Sequence, residues 1–269
     1  MIFFPNAKIN IGLRITERRP DGFHNLQSCV YPVGWSDALE VIPADPFAFS
    51  TSGLPIPGDV RTNLCVRAYE LLRADHTLPS VQMHLLKNVP IGAGLGGGSA
   101  DAAFALKLLN TRFALALTDD QLVTYARRLG SDCAFFIRNQ PVYCLEKGDV
   151  FEPIGVNLSG YYVLLVYPNV AISTAEAYAR VRPHQPKIPL REHLQAPPDT
   201  WRDTVHNDFE ESLFPTYPVL ADIKAQLYDA GAVYASLSGS GSTVYGIFNA
   251  PPAVSNQFAQ YRVWQGKLL

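Results

Sequence analysis

The sequence predicts an α+β fold in two domains, and three observations carry the prediction. Strand-like and helix-like segments mix without the regular βαβ rhythm of a parallel sheet. Hydrophobic residues make up 48% of the 269 residues and charged residues 17%, which suits a chain able to bury a full core. Composition also shifts along the chain: proline gathers after residue 180, and a seam near 150–160 gives domains of 1–155 and 156–269.

From Ala7 to Ile15 apolar and polar residues alternate strictly. Ala7, Ile9, Ile11, Leu13 and Ile15 share one face, and Lys8, Asn10, Gly12 and Arg14 the other, the pattern of a half-buried strand. Pro20-Asp21-Gly22 in "RRPDGFHNLQ" marks a turn, with Phe23 and His24 just beyond it. "DALEVIP" reads as a strand, and "TNLCVRAYELLRAD" carries Leu64, Ala68, Leu71 and Leu72 at helical spacing. In "SVQMHLLKN", Gln82 and His84 sit between Val81, Met83 and Leu85, so a strand leads into the glycines. A helix follows from about Ser99 to Leu109, and a second in "TDDQLVTYARRLG", capped by Thr118 or Asp119 and stopped at Gly130. "SDCAFFI", "QPVYCLEKGD" and "GYYVLLVYP" read as sheet segments. "RPHQPKIPLREHLQAPPD" reads as loop or short helical pieces, "FPTYPVLADIKAQLYDAG" as a helix ended by Gly231, and "YASLSGSGSTVYGIF" as strand, glycine turn and strand.

Net charge is −2, which argues against a bulk nucleic-acid or anionic-membrane binder. The four cysteines form no C-x-x-C pair, so buried free thiols are expected rather than a zinc site or disulfides. "MIFFPNAKIN" has no signal-peptide pattern, and the apolar run "YYVLLVY" is too short to span a bilayer. The expectation is a cytoplasmic protein with neither nucleic-acid nor membrane partner.

"NVPIGAGLGGGSADAAFALKLLN" puts five glycines into Gly92–Gly98, directly before a helix. The string matches G-x-G-x-x-G, which several machines share. A dinucleotide fold needs a continuous apolar strand before it and an acid ending the next strand; here the strand alternates, and Asp119 and Asp120 open a helix. A P-loop needs a Lys before its Ser/Thr, and this loop ends Gly98-Ser99-Ala100. A protein-kinase loop leads into a strand, not a helix. What remains is bare backbone N–H at a helix N-terminus, an anion site aided by the helix dipole. Ser99 is placed to offer its hydroxyl to a phosphate or to Mg²⁺.

"PIGAGLGGGSADAA" resembles the phosphate-binding motif of the GHMP kinases, and "PNAKINIGLRI" and "SLSGSGSTVYGIF" resemble the other two motifs of that family, in the right order. The resemblance implies a two-domain α+β fold with ATP in a cleft between the domains and phosphoryl transfer to a small alcohol. It implies that Pro90, Ile91, Gly92, Ala93, Gly94, Leu95, Gly96, Gly97, Gly98, Ser99 and Ala100 hold the ATP phosphates, with Mg²⁺ at Ser99 and Asn63 near the adenine. "SLSGSGS" then faces the phosphates or the acceptor, although a tight β-turn explains the same residues.

Within the family, "AKINIGLRITERRPDGFHNLQS", "LGSDCAFFI" and "HNDFE" are similar to a subgroup that phosphorylates the 2-hydroxyl of a cytidyl diphosphate substrate, on the non-mevalonate route to isoprenoids. The resemblance puts Asp132 in the role of the carboxylate that takes or orients the alcohol proton, with Lys8 beside it. Residue type alone leaves Asp132 a turn acid and Lys8 a solvated strand lysine; the family positions select the catalytic roles. Phe23 would stack on cytosine while His24 bonds its polar edge or a phosphate, and Tyr178 would be the aromatic partner on the other side. The family often has tyrosine where this chain has Phe23, so stacking survives and any hydroxyl contact does not. Asn10 and Lys147 complete the expected substrate contacts. The alternatives are a homoserine- or mevalonate-type kinase of the same fold, or a non-catalytic ATP-binding protein; a monomer or weak homodimer is expected.

Overall fold

A computed structural model describes residues 1–253 and 256–268. In chain order the strands and helices are β1 (Ile2–Phe3), β2 (Asn6–Arg18), β3 (His24–Ser36), β4 (Ala38–Pro43), β5 (Ala48–Gly53), α1 (Leu64–Asp75), β6 (Val81–Lys87), α2 (Gly97–Arg112), α3 (Asp119–Leu129) and α4 (Cys133–Arg138). There follow β7 (Val142–Leu145), β8 (Val150–Pro153), β9 (Tyr162–Tyr167), α5 (Thr174–Ala179), α6 (Leu190–His193), α7 (Asp208–Leu213), α8 (Pro218–Asp229), β10 (Tyr234–Leu237), β11 (Val244–Phe248) and β12 (Arg262–Lys267).

The chain forms two compact units, each discontinuous in sequence: 1–7, 35–91 and 96–140 in the first, 8–34, 92–95 and 141–269 in the second. The N-terminal hairpin groups with the second unit, where Leu13 bridges Asn207 and the Asn10 carbonyl accepts from Tyr245 OH.

In the first unit the sheet runs β1-β4-β6-β5, with only the β5–β6 pairing parallel. Its core face carries Leu39, Val41, Val81, Met83 and Leu85, all fully buried. Helix α2 packs against α1, α3, α4 and β4, and its alanines explain how it fits among them. Ala100, Ala102, Ala103 and Ala105 are buried around most of the helix circumference, where longer side chains would hold the neighbours apart. The Thr118–Gln121 capping box opens α3.

In the second unit one sheet runs β2-β3-β7-β8 and the other β10-β11-β9-β12, the latter wholly antiparallel. Strand β2 corrects the half-buried expectation: Lys8 and Asn10 are buried along with the apolar Ile9 and Ile11. The segment "SDCAFFI" is also corrected, since Cys133–Arg138 is helix α4 rather than strand. A short apolar run buried on all sides has no period to distinguish the two. All four cysteines are free and buried, as expected.

Candidate active site

The glycine segment enters from β6 through Asn88–Ile91 and leaves as α2, with Gly96 as the N-cap in the left-handed region (φ +69°). Pro90 and Ala100 are buried at either end, and Ile91 is exposed. Inside the second unit, residues 92–95 are stitched down by side chains from both other motifs. The Gly94 carbonyl accepts from Lys8 Nζ at 3.0 Å and from Ser238 Oγ at 2.8 Å. The backbone of Lys8 bonds Leu95, and that of Thr243 bonds Ala93. Ala93 and Leu95 are buried, so the side chains between the glycines anchor the loop. Gly94 (φ +76°) cannot be replaced, because a Cβ would run into the Ser238 carbonyl oxygen.

Two further glycines have different reasons to be bare. A Cβ on Gly97 would lie 2.9 Å from Lys87 Nζ, so this glycine makes room for a lysine of the protein itself. A Cβ on Gly98 would meet nothing within 4 Å, and its backbone is ordinary helix. Nothing in the chain requires glycine there. The exposed Gly98 surface lies in the first turn of a 16-residue helix, where amide N–H groups have no intrahelical carbonyl. That is the chemistry of an anion-binding turn.

Lys8 is only 6% exposed, and its ammonium donates to Asn10 Oδ1 at 2.6 Å. Asn10 Nδ2 donates to Ser28 Oγ at 2.8 Å, which donates to the Gly12 carbonyl at 2.7 Å. Tyr245 OH donates to the Asn10 carbonyl, so the lysine is oriented by a fully bonded network. Asn207, a site residue the sequence reading passed over, donates to the Leu237 and Gly239 carbonyls at 2.8 and 2.9 Å and fixes the glycine turn from below. Its signal was available, since it sits inside the "HNDFE" motif as the cap of α7. Asp132 belongs to the first unit, exposed at the N-cap of α4, where its side chain makes no capping bond.

The hairpin turn lies at Pro20–Gly22 as expected, closed by backbone bonds from the Arg19 amide to the Phe23 carbonyl and from the Gly22 amide to the Arg19 carbonyl. Phe23 is 59% exposed and lies under Lys147 Nζ, 5.3 Å from the ring centroid. Lys147 also pairs with Asp149 at 3.7 Å. The aromatic neighbour of Tyr178 is His24, stacked at 4.8 Å and 22°, with Phe209 edge-on to the tyrosine at 4.9 Å. Burial, reinforced by Arg18, lowers the His24 pKa and so favours the neutral ring.

Asn63 caps α1 by accepting from the Cys65 amide at 2.9 Å. Ser99 is half-buried in the first turn of α2, near the Cys133 thiol, whose pKa burial pushes up to about 11. That thiol is not an activated nucleophile.

The family models described as GHMP kinases N terminal domain and GHMP kinases C terminal match residues 63–140 and 196–262. A 4-diphosphocytidyl-2-C-methyl-D-erythritol kinase of Bacteroides thetaiotaomicron is 52% identical over 92% of each chain. A protein of the same name from Parabacteroides distasonis is 46% identical over the whole of both. A crystal structure of 4-(cytidine 5'-diphospho)-2C-methyl-D-erythritol kinase superposes with a TM-score of 0.83 at 28% identity, covering 100% of this chain and 99% of the other. A homoserine kinase from Cytophaga hutchinsonii shares the fold, with a TM-score of 0.65 at 16% identity over 98% and 94% of the two chains. A buried lysine on a glycine loop, a bare helix N-terminus and relatives matched over nearly their full length lead to one conclusion: the chain belongs to the GHMP kinase family.

Proposed function

We infer that this kinase transfers the γ-phosphoryl group of ATP to the 2-hydroxyl of 4-diphosphocytidyl-2-C-methyl-D-erythritol, a step on the non-mevalonate route to isoprenoid precursors. The observation that carries the chemistry is the Lys8 ammonium, buried in the second unit and bonded to Asn10 and to the carbonyl of Gly94 in the glycine loop. The substrate assignment is supported by relatives of that name at 46–52% identity. We retain 1–155 and 156–269 as the functional division, with the loop and both catalytic residues in the former.

Phosphoryl transfer requires positioning and charge neutralisation more than covalent help. The first-turn amides of α2 and the loop backbone from Pro90 to Ala100 cradle the phosphates, with Gly98 leaving them room to approach. Lys8 stabilises negative charge on the transferring group; its rigid network means no reorganisation is needed when that charge develops. Asp132 takes or orients the proton of the attacking hydroxyl. Phe23 stacks on the cytosine, the neutral His24 bonds the base edge or a phosphate, and Asn10, Lys147 and Tyr178 complete the substrate site. Asn63 lies beside the adenine.

Mg²⁺ carried by the nucleotide fits the donors present. Ser99 supplies one hydroxyl, and among the described residues no group of three or more His, Cys, Asp or Glu is placed to hold a metal ion. A site of that kind suits a cation that keeps most of its ligands from phosphate and water. When bound, the ion would neutralise phosphate charge. Among the described residues no helix is long and apolar enough to cross a membrane, and we place the enzyme in the cytoplasm as a monomer or weak homodimer.

The experiment is incubation of the protein with Mg²⁺-ATP and 4-diphosphocytidyl-2-C-methyl-D-erythritol, followed by ³¹P NMR. A new phosphomonoester signal is expected. Phosphorylation of homoserine or mevalonate instead, without competition by CMP, would overturn the substrate assignment.

A further inference from the structure

The first unit buries three charged side chains that the chemistry above does not use. Lys87 closes β6 on the same face as Val81, Met83 and Leu85, so strand parity turns its side chain inward. The side chains of Lys87, Asp37 and Asp101 are 1%, 0% and 5% exposed. Lys87 Nζ donates to Asp37 Oδ2 in a very short contact and to Asp101 Oδ2 at 2.8 Å. Asp37 Oδ1 accepts the backbone amides of Asn88 at 2.5 Å and Val89 at 2.8 Å, the first residues after the strand. Asp101 lies in the second turn of α2, and its Oδ1 is buried without a hydrogen-bond partner.

Stability alone gives no reason for such a cluster. Two carboxyl groups and one ammonium in a dry interior carry a large desolvation cost, and apolar replacements of similar volume are often as stable or more so. What apolar side chains cannot do is bind two backbone amides on one side and a helix on the other. The ammonium is also close enough to α2 to require glycine at position 97, where a Cβ would lie 2.9 Å away.

We propose that Lys87 is a positioning residue for nucleotide binding: through Asp37 and Asp101 it fixes the segment entering the glycine loop relative to the helix leaving it. The anion-binding amides of α2 then sit at a set distance from the chain that delivers Pro90 and Ile91. Lys87 touches neither phosphate nor alcohol in this role. The inference rests on the reading of the loop as a phosphate site.

The test uses the full chain, calorimetric titration with ATP, and steady-state kinetics. Lys87→Met/Asp101→Leu removes two of the three polar members together, and Asp101→Asn keeps an acceptor for Lys87. The double variant is expected to fold and bind ATP at least tenfold more weakly, with KM for the alcohol substrate within twofold of wild type. Asp101→Asn is expected to stay within threefold of wild type for ATP. A folded double variant with wild-type ATP affinity overturns this inference alone. Absence of ATP binding to the wild type overturns the phosphate-loop reading, and this inference with it. If the double variant does not fold, hydrogen exchange of the wild type decides: the Asn88 and Val89 amides should exchange at least tenfold more slowly with saturating ATP, and unchanged exchange overturns the inference.

Discussion

Replacing Gly98 with alanine separates what the protein needs from what its ligand needs. The added methyl meets no protein atom within 4 Å, and the residue is already helical. Alanine at a compatible helical position stabilises by roughly 0.4–1 kcal/mol, mainly by restricting the unfolded chain. In a chain of this size that raises Tm by about 2 °C. The same methyl stands over the first-turn amides, where a phosphate must approach to hydrogen-bond distance. ATP affinity should therefore fall at least tenfold, which corresponds to about 1.4 kcal/mol. Differential scanning calorimetry of the free protein and calorimetric titration with ATP measure the two effects on one sample. A more stable variant that binds ATP like the wild type would refute the claim that the bare turn faces the nucleotide. A destabilised variant would refute the reading of open space at Gly98.

Three further outcomes are expected. Asp132→Asn should lower kcat by at least a hundredfold while the ATP dissociation constant stays within threefold, if the carboxylate acts on the alcohol proton as proposed; full turnover would remove Asp132 from the chemistry. Phe23→Ala should raise KM for the cytidyl substrate by about tenfold and spare kcat, since stacking worth roughly 1–3 kcal/mol is present in ground and transition states alike; a pure kcat effect would contradict stacking. The third concerns pH. Burial pushes the Asp101 pKa up to about 8; Lys87 opposes the rise and Asp37 adds to it. The folded state thus keeps a proton that the unfolded state has already lost, so stability falls as pH rises between about 4 and 8, by at most about 1.4 kcal/mol per unit. Thermal melts of Asp101→Asn across that range should lack the decline, and parallel wild-type and variant profiles would refute it.

Much of this was legible in the chain because the signals were local. Helix α3 announced itself by a cap at Thr118 or Asp119 and the stop at Gly130, the β2–β3 turn by Pro20-Asp21-Gly22, and α2 by the glycines before it. What was not legible depends on contacts remote in sequence. Lys8 reads as a solvated strand lysine until Gly94, 86 positions on, supplies the carbonyl that makes burial tolerable. His24 and Tyr178 stack because β3 and α5 bring them together, and no spacing rule connects 24 with 178. Strands β1, β5 and β12 were missed because two or six residues with mixed polarity give no period. The Lys87 cluster is the instructive case. The i, i+2 rule that placed Val81, Met83 and Leu85 inside also places Lys87 inside, and the presence of a charge there was itself the clue.

The hydrogen bond from Tyr245 to the Asn10 carbonyl spans 235 residues and has a consequence for biosynthesis. Strand β2, with Ile9 and Ile11 fully buried in the finished protein, leaves the ribosome 235 positions ahead of the tyrosine that caps its Asn10 carbonyl. At about 5–20 residues per second the delay is on the order of ten to fifty seconds. Throughout that interval an apolar strand with unmet backbone groups has only the nascent chain, or a chaperone, to cover it. A cell making this kinase quickly must therefore shield strand β2, and the yield of soluble protein should rise with the supply of holdases that act on nascent chains.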